Sequence, residues 1–204
     1  ASDYILSELK NNEKVTILCL GPLTNIALAI KKDLETFKRV NKLLIMGGAF
    51  NNGSYVEWNV RCDPEAFEIV LQSGVKIEII GHDLTKEALL TQTDVDFLKT
   101  LESEPLMFLE KITANYLKYY NYTRLPCMHD PLAASMINHD FVKTKTIGVQ
   151  VDMSPGKKGL CIFDKAGVPV QVAYQVDQSA FRTHLINQLI KIDEIHKISH
   201  AKSQ

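Results

Sequence analysis

The sequence has no excess of charge of either sign and no long hydrophobic run. Its 23 basic and 24 acidic residues leave a formal net charge of -1, which gives no reason to expect nucleic acid or an anionic membrane surface as a partner. No apolar run approaches the roughly 20 residues that a membrane-spanning helix needs. With 46% hydrophobic and 23% charged residues, the composition is typical of one globular unit, and we expect a single domain over residues 1–204.

Paired cysteines are also absent. The four cysteines stand far apart and form no Cys-x-x-Cys motif, so the usual zinc and thioredoxin-type patterns are excluded. Unpaired cysteines favour a reducing compartment, and we expect a cytoplasmic protein. The first residue is Ala1 rather than methionine, so we expect a chain whose beginning is missing, and a signal peptide before Ala1 stays an open alternative.

Three common ligand-binding and catalytic motifs are missing as well. There is no Gly-x-Gly-x-x-Gly, no Gly-Lys-Ser/Thr, and no helical pattern directly after Gly47-Gly48, which excludes a nucleotide-phosphate loop. There is also no Gly-x-Ser-x-Gly turn, the commonest signal of a hydrolase with a serine nucleophile.

Short apolar runs alternate with helical patterns in the first part of the chain. The runs at 15–20, 43–46 and 76–80 predict strands, the first of them buried on both faces. Helices at the intervening positions predict βαβ units, and hence an α/β fold with an open, mainly parallel (mixed) sheet flanked by helices. Helical patterns follow from residue 91, and further strands are predicted at 146–151, 159–163 and 168–176, before a last helix capped by Asp177.

The predicted strand ends carry the polar residues of interest. Ligands of open α/β sheets bind beyond the carboxyl ends of the strands. The loop that follows Gly47-Gly48 carries Glu57, Trp58 and Asn59. A carboxylate and an amide two residues apart suit the hydroxyl groups of a sugar, and a solvated loop with a packed Trp58 is an equally consistent interpretation.

The run Met128-His129-Asp130-Pro131 predicts the start of a helix. Asp130 is expected as the N-cap and Pro131 as the first helical residue, which explains the aspartate without any function. The alternative interpretation is a functional histidine–aspartate pair at the mouth of a helix.

Five of these motifs, in this order and spacing, resemble the inosine–uridine-preferring nucleoside hydrolase family. They are residues 20–27, Met46-Gly47-Gly48-Ala49, Glu57-Trp58-Asn59, Asp63-Pro64-Glu65-Ala66 and His129-Asp130-Pro131. The resemblance implies the Rossmann-like nucleoside hydrolase fold. It also implies Ca²⁺-dependent hydrolysis of purine or pyrimidine ribonucleosides to ribose and free base, in nucleoside salvage and catabolism, by a homodimer or homotetramer.

The resemblance also implies a role for each site residue. Asp130 and the main-chain carbonyl of Leu20 would bind Ca²⁺, and His129 would act as a general acid or stabilise the leaving base. The other site residues, which would bind or line the substrate, are Met46, Glu57, Trp58 and Asn59.

The chain departs from the family at one decisive motif. The family's first strand carries Asp-x-Asp-x-Gly-x-Asp-Asp, which supplies the catalytic base and metal carboxylates, and these 204 residues contain no such run. Ca²⁺ takes about 6–8 oxygen ligands, whereas this chain offers one carboxylate and one carbonyl. We therefore expect the C-terminal two thirds of a hydrolase, inactive alone, with an incomplete fold and an open sheet edge. The alternative is a shortened homologue that serves as a non-catalytic ribosyl-binding or interaction module.

Two further departures concern single residues. Ser54 stands where the family often has an asparagine that contacts the 5′-hydroxyl, so that contact is in doubt. His82 stands where the family more often has an apolar residue, and we interpret it as a packing histidine.

Overall fold

The computed structural model describes residues 1–50 and 55–201, and Ser54 lies outside them. Within these residues, six strands form one sheet in the order β1-β2-β3-β6-β4-β5. The first four strands in this order run parallel to one another. Strand β4 pairs antiparallel with β6 on one side and with β5 on the other. The structure thus has the open, mixed sheet that the sequence predicted. The strands are β1 Thr16–Cys19, β2 Lys42–Met46, β3 Ile77–Ile80, β4 Val142–Asp152, β5 Leu160–Phe163 and β6 Val168–Val176.

Helices cover both faces of this sheet. In the described part of the chain they are α1 Ser2–Asn11, α2 Thr24–Lys32, α3 Leu34–Phe37, α4 Trp58–Cys62, α5 Pro64–Leu71, α6 His82–Thr85, α7 Gln92–Leu98, α8 Glu104–Tyr119, α9 His129–Ser135 and α10 Gln178–Ala201. None of these helices is long and apolar enough to cross a membrane.

The central strands β2 and β3 separate two hydrophobic cores. Successive side chains of a strand point to opposite faces of the sheet. Leu43 and Ile45 of β2 accordingly pack in the core beneath α1, α2, α3 and α5. Met46, at the end of β2, belongs to the core beneath α6, α9 and α10, where it meets Leu132 and Ala133 of α9. The end of β2 and the start of α9 are thereby brought together.

Strand β1 differs from its prediction. It pairs only with β2 and forms one edge of the sheet, so its first three residues are half-buried rather than buried on both faces. The apolar run predicted the strand correctly but could not show that it lies at the edge of the sheet. An apolar run is compatible with an edge strand as well as with a central one.

Asp193 joins α10 to the turn that precedes α8. Its buried carboxylate accepts hydrogen bonds from the backbone N–H groups of Ser103, at 2.8 Å, and Glu102, at 3.1 Å. The Lys197 ammonium lies 2.9 Å from the other carboxylate oxygen. Lys197 and these N–H donors hold the pKa of Asp193 well below its usual range.

We expect Asp193→Asn to destabilise the protein at neutral pH, because the charged carboxylate is the form that these donors stabilise. A depressed native pKa adds stability above the unfolded-state pKa of about 4, and that stability is lost as the pH falls below it. Thermal melts of both proteins should therefore differ most at neutral pH and converge in acid. Glu194→Gln, on the exposed neighbouring position, is the control. A difference that stays constant with pH would contradict the assignment.

Candidate active site

A cleft of about 380 Å³ lies beyond the carboxyl ends of β1, β2 and β3, beside the first turn of α9. His82, Cys127 and Pro131 form part of its wall. The cleft also brings together every site residue that the sequence analysis selected, which are Leu20, Met46, Glu57, Trp58, Asn59, His129 and Asp130.

Glu57 is fixed by backbone donors. Its carboxylate is the N-cap of α4 and accepts hydrogen bonds from the N–H groups of Asn59, at 3.0 Å, and Val60, at 3.2 Å. A third bond comes from the N–H of Gly48, at 3.1 Å. With only 5% of its surface exposed, this side chain has a single defined position at the cleft. The carboxylate thereby ties α4 to the loop that leaves β2.

Gly48 is required for that contact. Its φ angle of 79° lies in the left-handed region that favours glycine. A Cβ atom at this position would lie 2.8 Å from the ring of Phe50 and 3.2 Å from the Cys161 sulfur. The glycine therefore lets the chain turn sharply at the strand end and point its N–H at Glu57.

Asn59 fixes the same helix to the strand itself. Its Nδ2 donates to the main-chain carbonyl of Met46, at 3.1 Å, and lies 3.5 Å from the Met46 sulfur. Trp58, between Glu57 and Asn59, is 71% exposed. The interpretation of Trp58 as a packed side chain is therefore wrong, because α4 buries Val60 and leaves Trp58, its first residue, facing solvent at the cleft rim.

His129 is held by a buried hydroxyl. Its Nδ1 lies 2.6 Å from Oγ1 of Thr85, a residue with no exposed surface, and 3.8 Å from the Cys127 sulfur. Burial, and secondarily the nearby His82, lower the pKa of His129 from its ordinary value. The imidazole at the cleft is thus biased towards its neutral form.

Asp130 is not the N-cap that the sequence predicted. The helix begins one residue earlier, at His129, with Met128 as N-cap, and the carbonyl of Met128 accepts the first helical hydrogen bond from Leu132 at 3.0 Å. The Asp130 carboxylate receives no hydrogen bond from any described residue, and partial burial raises its pKa. The capping explanation therefore fails, and the carboxylate is left available at the cleft.

The oxygen donors at this cleft fit part of a calcium site. The Asp130 carboxylate, which has no hydrogen-bond partner among the described residues, and the carbonyl of Leu20 are hard oxygen groups of the kind that Ca²⁺ takes. Within residues 1–50 and 55–201, no cluster of three acidic, histidine or cysteine side chains is arranged to hold a metal. These two groups would be two of the roughly 6–8 oxygen ligands that such an ion takes.

His82 and Thr85 are site residues that sequence reasoning missed. His82 is half-buried and lines the cleft rather than the core, with its Nδ1 at 2.8 Å from the Tyr55 hydroxyl. Its place directly after Gly81, at the carboxyl end of β3, is the signal that would have found it. Thr85 follows one helical turn later, and nothing in the sequence distinguishes it from a surface threonine.

The family model for "Inosine-uridine preferring nucleoside hydrolase" matches residues 1–183. The chain belongs to this family. The resemblance inferred from five motifs is confirmed, and so is the predicted fold class, because nucleoside hydrolases of known structure share this sheet and its helices.

Individual relatives show how far the similarity extends. The chain is 31% identical over 147 residues to the inosine-uridine preferring nucleoside hydrolase of Crithidia fasciculata, covering 69% of this chain and 47% of that protein. It is 29% identical to the pyrimidine-specific ribonucleoside hydrolase RihB of Shigella flexneri, covering 82% of this chain and 56% of that protein. The chain spans about half the length of the curated relatives it matches.

Solved structures agree closely in fold. The purine-preferring ribonucleoside hydrolase from Gardnerella vaginalis superposes with a TM-score of 0.86 at 31% identity, over 96% of this chain and 66% of that one. A plant nucleoside hydrolase superposes with a TM-score of 0.83 at 26% identity, over 92% of this chain and 66% of that one.

We expect Glu57→Ala to lower the free energy of unfolding by about 1–3 kcal/mol, because three backbone N–H groups lose a charged acceptor. Urea denaturation measures this difference. Glu13→Ala, on an exposed residue, should change stability by less than about 0.5 kcal/mol and is the matched control. Equal effects of the two substitutions would show that the Glu57 carboxylate does not hold α4 in place.

Proposed function

We propose that the whole protein to which this chain belongs hydrolyses the N-glycosidic bond of purine or pyrimidine ribonucleosides, giving ribose and a free base. The supporting observation is the convergence of Glu57, Asn59, His129 and Asp130 on one cleft at the strand ends. Family membership makes this chemistry the expected use of that cleft.

The sugar side of the cleft suits a reaction that builds positive charge on ribose. Cleavage of a glycosidic bond passes through an oxocarbenium-like state, which nearby fixed carboxylates stabilise. Glu57 is such a carboxylate, since backbone donors hold it in place before substrate arrives. In this proposal Glu57 and Asn59 contact the ribose hydroxyls, Met46 lines the ribose pocket and the exposed Trp58 covers the base.

The base side of the cleft suits proton donation. The departing base needs a proton, and an imidazole with a near-neutral pKa is a suitable donor. The Thr85 hydroxyl occupies the Nδ1 side of His129, which leaves Nε2 for the substrate. When the ring is protonated, the Thr85 hydroxyl accepts from Nδ1–H, and the imidazolium can give its Nε2 proton to the departing base and become the neutral ring.

Calcium enters the proposal through Asp130 and the Leu20 carbonyl. These two groups would hold Ca²⁺ together with further oxygen ligands. When bound, the ion would bind the attacking water and lower its pKa.

Hydrolysis of inosine and uridine, measured as free base released with Ca²⁺ and with a chelator, tests the activity. Calcium-dependent release by the whole protein supports the hydrolase. The alternative, a non-catalytic ribosyl-binding module, predicts binding of ribose without base release. Release by the isolated 204-residue chain would contradict our expectation that it is inactive alone.

Location and assembly complete the proposal. The cysteines of the described residues are all free, which suits a reducing compartment, and we place the protein in the cytoplasm, in nucleoside salvage and catabolism. We also expect a homodimer or homotetramer, which sedimentation of the whole protein would test.

We expect His129→Ala to slow hydrolysis of inosine and uridine by about 10²–10⁴-fold, because these bases leave poorly without a proton. Hydrolysis of p-nitrophenyl riboside should fall far less, since its leaving group needs no protonation. Steady-state kcat on both substrates gives the comparison. His139→Ala, at an exposed histidine outside the cleft, should change neither rate. Equal losses on both substrates would remove His129 from this role.

We expect Asp130→Ala in the whole protein to weaken Ca²⁺ retention, because it removes a carboxylate ligand. The metal content after dialysis, measured by mass spectrometry, provides the readout. Asp140→Ala is the control, since that aspartate is exposed and does not line the cleft. Unchanged calcium content in Asp130→Ala would show that this carboxylate is not a ligand.

A further inference from the structure

The wall of the cleft contains a second histidine besides His129. His82 opens α6 directly after β3, and its ring stacks on that of His129 with 5.0 Å between centroids and 24° between planes. Both rings line the same cleft. The two stacked rings therefore form adjacent parts of its wall.

A phenol fixes the orientation of the His82 ring. The Tyr55 hydroxyl lies 2.8 Å from Nδ1, and the two rings meet edge to face with 5.7 Å between centroids. Burial, and secondarily the negative charges of Asp83 and Glu57, raise the pKa of Tyr55, so the phenol keeps its proton. A protonated phenol is a good donor to an imidazole nitrogen, and a ring that accepts at Nδ1 carries its proton on Nε2.

The two histidines are held in the same way. Each has a hydroxyl at Nδ1, from Tyr55 in one case and Thr85 in the other. No described residue forms a hydrogen bond with Nε2 of His82. The ring that carries this atom lines the cleft in a fixed orientation, next to the proposed proton donor.

We propose that His82 is a specificity-determining residue that binds the nucleobase, donating from Nε2 to a carbonyl oxygen or ring nitrogen on its edge, and that Tyr55 is the positioning residue that holds it. The class of ligand rests on the proposed function. An apolar side chain at this position would offer the base only a packing surface. His82 adds a polar contact to an acceptor on the base, such as a carbonyl oxygen of hypoxanthine or uracil.

Calorimetric binding of free hypoxanthine and uracil to the whole protein tests this contact without any catalytic step. We expect His82→Leu to weaken binding of both bases about 3- to 10-fold, the loss that follows from removing one hydrogen bond. His82→Gln should restore much of it, because its amide places an N–H donor near the position of Nε2. Tyr55→Phe should weaken base binding to a lesser degree, since the ring loses its orienting hydroxyl.

Ribose binding and a second histidine provide the controls. Ribose should bind equally to the unmodified protein and to His82→Leu, and His139→Leu should leave base binding unchanged. Equal base binding by His82→Leu and the unmodified protein overturns the inference. Parallel loss of ribose binding, failure of His82→Gln to restore the contact, or no base binding by the unmodified protein also overturns it. Base binding that follows the expected pattern without nucleoside hydrolysis would refute the proposed function and leave this inference standing.

Discussion

The cleft depends on one carboxylate that caps a helix and a strand end together. Glu57 accepts bonds from two N–H groups of α4 and from Gly48, which immediately follows the turn out of β2. Buried charge is costly unless it is hydrogen-bonded, so this group is stable only while strand end and helix stay in register. The same constraint brings Asn59 to the Met46 carbonyl and turns Trp58 outward.

The second half of the cleft is positioned by packing rather than by polar contacts. Leu132 and Ala133 of α9 are completely buried and share a core with Met46, at the end of β2. Because these residues follow Asp130 by only two and three positions, their burial directs the first turn of α9 to the strand ends. His129 then meets the Thr85 hydroxyl of α6. Packing of α9 against the end of β2 thus positions both His129 and Asp130 at the cleft.

Much of this arrangement could be predicted from the sequence, and the reasons differ by element. Hydrophobic runs identified β2 and β3 because both strands are buried on both faces, where composition alone decides. Asp63 and Asp177 stand at helix starts and both act as caps, each accepting from the backbone N–H three residues on. Asp130 has the same Asp-Pro sequence and does not cap, because packing of Leu132 and Ala133 starts its helix one residue earlier. Local sequence does not report a constraint that tertiary packing imposes.

The interpretation of His82 as a packing histidine was wrong for a related reason. An isolated histidine has no periodicity or partner in sequence, and Tyr55 and His129, its neighbours in space, are 27 and 47 residues away along the chain. Its position at a strand end was visible, but the fold was needed to show which groups would face it.

The chemistry of the cleft is unevenly distributed. The side that would face base and sugar in the proposed function has donors and acceptors that are each held by a hydroxyl or by the backbone. The side that would face a metal ion has one carboxylate, without a partner among the described residues, and one carbonyl, which is fewer oxygens than Ca²⁺ takes. Under the proposed function, recognition of base and sugar would need only contacts that these residues make possible, whereas activation of water would need further oxygen ligands. Binding and bond cleavage would then be separable, and the described residues supply more of what binding requires than of what cleavage requires.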